Sequence, residues 1–275
     1  MSPPNSIIAS AAEGLIVDYC KGIWAARHFW WHLSISDLRS RWRRSFFGLF
    51  WSIIQPLGLT LLLSLVFSRI FGMRIAEYAP YILSGMIMWE YVVSSVIGGS
   101  LAFVQADAYI KQTRHPLAIY TLRNALTGLI VLATGSVALI GWVLIVMPQN
   151  FGWCWLAALT AFPILGLVAW AGATITAYIA ARLRDLPHAL GLIMQAMWFV
   201  SPIYFEPSTF RSGDLHALVD FNPIFHLLQI ARSPLLHGQW PTVENYGWSI
   251  GTIVSLGAIA ILVGRSSEKR VIFYL

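Results

Sequence analysis

Charge is what this sequence has least of. Of its 275 residues only 11% are charged, against roughly a quarter in a soluble domain. Hydrophobic residues make up 57%, and the mean hydropathy is +0.67. These values exclude an ordinary soluble domain and leave a polytopic membrane protein. Cysteine is nearly absent: Cys20 and Cys154 supply neither a disulfide framework nor a metal site. The lysines are Lys21, Lys111 and Lys269, none after a glycine, and no GxxxxGK[ST] loop occurs. The chain therefore lacks a nucleotide-phosphate loop of that type. HExxH, GxSxG and paired cysteines are missing as well, and the scattered histidines read as interface or loop residues. Residues 1–20 lack the basic start of a signal peptide, and Glu13 and Asp18 interrupt their apolar residues.

What is present is a series of long uncharged runs. A hydrocarbon core of roughly 30 Å needs about 20 helical residues. The runs predict six spans, at about 46–68, 79–104, 123–147, 153–181, 187–205 and 245–264. Residues 124–181 carry no charge and are split into two spans at "MPQNFGW", where Pro148, Asn150 and Gly152 break a helix. The expected organisation is an all-α membrane domain over 46–265, preceded by a cytoplasmic segment (1–27) and an interface helix (28–45). A cytoplasmic tail (266–275) follows. Between spans five and six, two apolar stretches with Pro207, Pro223 and Pro234 suit short re-entrant helices or an ordinary surface loop.

With six spans, one side holds only Arg69, Arg74, Arg211 and Arg232; every other lysine and arginine falls on the opposite side. That bias predicts both termini in the cytoplasm of a multi-pass inner-membrane protein. The net charge of +6 follows from topology and calls for no nucleic-acid partner, attraction to membrane lipids being sufficient.

Charge is concentrated just before the first span, in "DLRSRWRRSFFGLFWSIIQPLG". Ile35, Leu38, Trp42 and Phe46 recur at helical spacing, with Arg39, Arg41, Arg43 and Arg44 mostly off that line. This describes a helix in the membrane interface, or a topological anchor alone. Gln55-Pro56 lies inside span one and can kink it. The order Asp37, Leu38, Arg39, Arg41, Trp42, Gly48, Leu49, Trp51, Gln55, Pro56, Leu57 resembles the opening of permease subunits of ABC-2-type polysaccharide exporters. "PYILSGMIMWEYVVSSV" (Ser84, Gly85, Trp89), "RLRDLPHAL" to "SPIYF" (Arg184, Asp185, Leu186, Ser201, Pro202) and "FNPIFHLLQIARSPLLHG" (Asn222, Pro223) resemble later segments of that family, in order. Glu90 departs from it, a neutral residue being more usual there, and the N-terminus is longer than typical.

The resemblance implies a half-channel. Two copies would pair, each resting on one copy of a cytoplasmic ATPase that holds ATP and Mg; this chain would hold no cofactor and be no enzyme. The substrate would be a lipid-linked glycan of O-antigen or capsule type. Tyr109, Lys111, Arg114, His115 and Pro116 would couple to the ATPase, with Arg182, Arg184 and Asp185 as a smaller contact. The bland alternative is an interfacial loop that only enforces topology. Arg39, Arg41, Arg43 and Arg44, beside Trp42, would hold the lipid phosphate at entry, since arginine forks suit phosphate oxygens. Trp51, Trp89, Tyr91, Trp170, Tyr178, Trp198, Phe199 and Tyr204 would line the channel, or belong to interfacial belts. Glu90 either lines a polar cavity or lies near the outer interface. Asn222 and Pro223 would belong to a periplasmic gate. An ABC-2 exporter of a drug, lipid or teichoic-acid-like polymer fits the same architecture. An ion-coupled carrier or a membrane-embedded enzyme is the alternative of another class.

Overall fold

The structure, a computed structural model, describes residues 17–72, 74–113, 115–205 and 219–271. Among these, every regular element is helical. Residues 17–25 are helical and pass at Ala26 into α1 (Arg27–Arg41). A 3-10 turn at Gly48–Phe50 leads into α2 (Trp51–Phe71), followed by α3 (Ile75–Ser100). The short helices α4 (Ala102–Gln105) and α5 (Asp107–Gln112) precede α6 (Ala118–Val146). The chain continues through α7 (Trp155–Ala158), α8 (Ala161–Ala180), α9 (Leu186–Val200), α10 (Pro223–His237) and α11 (Val243–Val271).

Among the described residues, five stretches are long and apolar enough to cross a membrane: Gly48–Ile70, Ile75–Ser100, Ala118–Val146, Trp155–Ala180 and Val243–Glu268. They coincide with the expected spans one to four and six. The run expected to give span five behaves differently. Its helix, α9, has 15 residues, and residues 201–205 that follow are not helical. Fifteen residues rise about 22 Å, short of the roughly 30 Å of hydrocarbon. The apolar stretch "LHALVDF" expected in the connection lies largely outside the described residues; the other is α10.

Local sequence explains the elements. Gly48, at φ +51°, takes a left-handed turn that a side chain would oppose, and its N–H donates to Ser45 Oγ. That turn separates the interface helix from the span. α2 runs through Pro56 without interruption. Its buried Thr60, Ser64 and Ser68 recur every fourth residue, a small-residue line that lets it seat against α3 and α6. α3 is the central post: 61% of its apolar window is buried, against 11% for the first span and 6% for the last.

One side chain holds the broken end of α9. Arg232 of α10 is fully buried, and no carboxylate among the described residues pairs with it. All five of its N–H donors are used. Nε donates to Ser84 Oγ (3.1 Å). Nη1 donates to Tyr81 OH (3.0 Å) and the Pro202 carbonyl (2.7 Å). Nη2 donates to the carbonyls of Tyr81 (3.2 Å) and Ile203 (2.8 Å). The guanidinium also lies 3.9 Å from the Tyr81 ring centroid. The next two carbonyls are taken by α3 tyrosines: Tyr78 OH donates to Tyr204 O, and Tyr81 OH to Phe205 O (2.9 Å). The four carbonyls of the non-helical stretch from Pro202 to Phe205 are thus all paired, as a low-dielectric interior demands. Gly85 makes room for this: a Cβ there would sit 2.4 Å from Arg232 Nη2 and 2.6 Å from Ile203 O. Asn222 completes the join. Its Oδ1 caps α10 by accepting from Ile224 N–H, and its Nδ2 donates to Ser201 Oγ (3.2 Å).

Replacing Arg232 with Met leaves the buried Ile203 carbonyl unpaired and the Pro202 carbonyl with only the longer Tyr81 OH contact (3.3 Å), a cost on the order of 2 kcal/mol. Arg232→Met and Gly85→Leu should both lower the melting temperature in detergent, and Arg232→Lys should recover only part of the loss. A melting curve unchanged in Arg232→Met would contradict this account.

Candidate functional site

The end of the bundle rich in arginine is assembled from α1, α5, the start of α6 and the ends of α8 and α11. The short helix α5 turns Ile110 into a cluster with Phe103, Leu117, Tyr120 and Tyr178. This leaves Tyr109 and Lys111 exposed, Lys111 being paired with Asp107 at i, i+4 (2.8 Å). Phe29 of α1 packs on His115 (4.9 Å between centroids) and edge-on to Tyr109 and Tyr120, so α1 supports α5 from behind. A groove of about 420 Å³ brings Asp107 of α5 together with Arg184 from the link between α8 and α9 and Pro187 at the start of α9. Arg184 and Asp185 are exposed, whereas Arg182 turns back to Ser267 Oγ of α11 (3.2 Å). Arg114 lies outside the described residues.

α1 is seated by a polar line. Ser34 Oγ donates to the Trp30 and Arg123 carbonyls, Thr127 Oγ1 to the Ser34 carbonyl, and Arg123 pairs with Asp37 (3.3 Å). Burial holds the Asp37 carboxyl above the ordinary carboxylate range, with Arg123 pulling the other way. The pair therefore sets the seating of α1 more than it stabilises the fold. The apolar line read from the sequence is half-buried at Ile35, Leu38 and Trp42. It stops there, because the helix ends at Arg41 and Phe46 is 94% exposed. Arg39, Arg41, Arg43 and Arg44 are all exposed, Arg41 lying 5.4 Å from the Trp42 ring centroid.

The aromatic candidates divide into groups. Trp198 stacks on Tyr204 (4.7 Å), with Phe199 edge-on to Trp198 and Phe67 of α2 at 5.4 Å from Tyr204. Phe199 is exposed and Trp51 partly so. Trp89 is buried and borders a cavity between α9 and α11. Tyr91 is buried and donates to the Ala125 carbonyl (3.1 Å). Trp170 donates to the Ala118 carbonyl (3.1 Å), and Tyr178 packs on Phe103, both near the arginine-rich end. Glu90 is exposed and has no partner among the described residues. With Met86, Val93 and Ile97 it forms one strip of α3, a helix that packs on both α2 and α9. Gln55 of α2 and Gln195 of α9 are exposed as well.

Sequence reasoning left residues 1–27 without a role. Tyr19 donates to Glu268 Oε1 of α11 (3.1 Å) and accepts from Ala118 N–H at the start of α6 (3.3 Å). Burial first, then the Glu268 charge, pushes the Tyr19 phenol upward, so it remains a donor. Gly22 stands against the Pro116 ring, and Trp30 Nε1 donates to the Ile23 carbonyl (3.0 Å). The segment braces the loop after α5 against the last helix. A lone Tyr-Cys-Lys-Gly string gives no periodic signal for this.

Residues 28–236 match the family model described as ABC-2 type transporter. An O-antigen export system permease protein RfbA of Klebsiella pneumoniae is 24% identical over 233 residues, covering 84% of this chain and 86% of its own. One of the same name from Myxococcus xanthus is 21% identical over 232 residues, covering 82% and 85%. The brace at Tyr19 and Gly22 precedes the family match.

Tyr19→Phe removes the donor to Glu268 and should raise deuterium uptake at residues 115–120 by about fivefold, for one hydrogen bond of about 1 kcal/mol. Uptake at residues 140–146 should stay unchanged. Equal uptake in both variants over 115–120 would show that the brace does not restrain the loop.

Proposed function

Because the chain belongs to the ABC-2 type transporter family, we propose that it is the channel-forming permease of an ATP-driven exporter of a lipid-linked polysaccharide. The observation that carries this reading is the similarity to O-antigen export permeases over more than four-fifths of both chains. Such a permease is not itself an enzyme. Two copies pair, each docked on a cytoplasmic ATPase, and the glycan moves from the cytoplasmic to the periplasmic side. Both termini face the cytoplasm, and α9 with residues 201–205 makes the fifth of six crossings.

Polarity supports a lumen between the copies. A carboxylate or amide turned to lipid at mid-depth is costly, so Glu90, Gln55 and Gln195 face a wet path. The exposed faces of α2 and α9 flank that path, and Phe67, Trp198, Phe199 and Tyr204 give it an aromatic wall on which sugar faces slide. Arg39, Arg41, Arg43 and Arg44, all exposed and with no carboxylate partner among the described residues, stand at its entrance and hold the lipid phosphate. Tyr109 and Lys111 of α5, with Arg184 and Asp185 beside them, form the ATPase contact. Asn222 and Pro223, joined to Ser201, form the base of the periplasmic gate.

Changing Arg39, Arg41, Arg43 and Arg44 together to Gln removes at least one charge-assisted contact and should cut surface glycan by about tenfold. Membrane insertion and co-purification with the ATPase should persist, and undiminished surface glycan would refute the entry role. Tyr109→Ala with Lys111→Glu should instead abolish co-purification, and retained ATPase would refute the coupling role of α5.

A further inference from the structure

A cavity of about 980 Å³ separates α9 from α11. Met194 and Met197 form one wall and Gly247, Gly251 and Thr252 the other, with Trp89 and neighbouring residues of α3 and α8 beneath. The hydroxyls that border it are already used: Thr176 donates to carbonyls of α3 and α8, Thr252 and Ser255 to those of their own helix. The lining is therefore apolar along its length. Along α11 it runs from Glu244 to Leu256, twelve residues and about 18 Å of helix, close to the roughly 15 Å depth of one leaflet's hydrocarbon. Its volume lies at the upper end of ligand-sized clefts, about 300–1,000 Å³.

The end at α10 differs from the rest. Glu244 has an exposed carboxylate with no partner among the described residues. Trp248, one turn on and on the same face, has an indole N–H with no hydrogen-bond partner among them; its ring is fixed by stacking on His226 (5.2 Å). An acceptor of full negative charge and a donor thus stand side by side at the mouth of an apolar groove one leaflet deep. That pairing matches a headgroup that carries an ammonium next to a phosphate.

We propose that this groove is a binding site for one phospholipid with a primary-amine headgroup, in the leaflet on the α10 side. Its acyl chains fill the space between α9 and α11, its ammonium meets Glu244 and its phosphate or ester oxygens meet the Trp248 indole. The lipid fills the gap between α9 and α11 and supports the short helix α9.

The test uses the full chain in nanodiscs of equimolar phosphatidylethanolamine and phosphatidylglycerol, released into mild detergent and weighed by native mass spectrometry. One phospholipid should be retained per chain, with phosphatidylethanolamine enriched about tenfold over phosphatidylglycerol. Glu244→Gln should remove the preference and keep the lipid. Gly247→Leu with Gly251→Leu should lose it; a Cβ at either glycine meets nothing within 4 Å, so these side chains enter the groove without disturbing the helix. Wild-type protein without bound phospholipid, or with equal amounts of the two lipids, would overturn the proposal. So would the double leucine variant changing the oligomeric mass while its bound lipid stays, since the groove would then be a contact between copies.

Discussion

The fold depends on a guanidinium that pairs with no carboxylate among the described residues. A helix in a membrane satisfies its own backbone; the non-helical residues that follow α9, which has only 15 residues, need donors from elsewhere. Arg232 and the tyrosines of α3 supply donors to four consecutive carbonyls, from Pro202 to Phe205. A lysine brings three donors on a point charge, whereas arginine spreads five across a plane, and five acceptors surround it here. Its charge is compensated by carbonyl and hydroxyl dipoles and by the Tyr81 ring. This explains why α3 carries Tyr78, Tyr81, Ser84 and Gly85 together: three give hydrogen-bonding groups and the fourth gives room.

The clamp also sets what surrounds it. Because the chain bends after Val200, Tyr204 reaches back to Trp198 of α9 and across to Phe67 of α2. Asn222 ties Ser201 to the cap of α10, and His226 ties α10 to Asn245 and Trp248 of α11. At the opposite end the joins are of another kind. α5 is held through Ile110 and Phe29, α1 through the Ser34, Asp37 and Arg123 line, and the loop after α5 through Tyr19. One end is thus fixed by a network centred on one saturated side chain, and the other by several separate contacts.

Much of the architecture was legible in the sequence, because span length and charge exclusion are properties of runs. The uncharged stretches mark five of the helices, and "MPQNFGW" marks the turn between α6 and α8. The break after Val200 was not legible, since "WFVSPIYF" is as apolar as a continuing helix. Its signals were Pro202 and a distant arginine. Arg232 was read by a rule that counts charges outside the membrane, and such a rule cannot recognise an arginine taken inside to serve backbone carbonyls. At the interface helix, the apolar period between Ile35 and Trp42 was visible, while the inward line of Ser34 and Asp37 was not. Polar residues that pack on a neighbour look like solvent-facing ones until the neighbour's Arg123 is in place.

Two charges stand within the helical bundle away from its ends, and their surroundings separate their roles. Arg232 has spent every donor on the protein and has none left for a ligand, so its position answers to folding alone. Glu90 has spent nothing: its carboxylate is exposed and has no partner among the described residues. A charge left unpaired at that depth is sustained by water or by whatever polar molecule occupies the space before it. Gln55 of α2 and Gln195 of α9, both exposed, make a similar demand. These three side chains need polar surroundings of the kind that the fold itself supplies to Arg232.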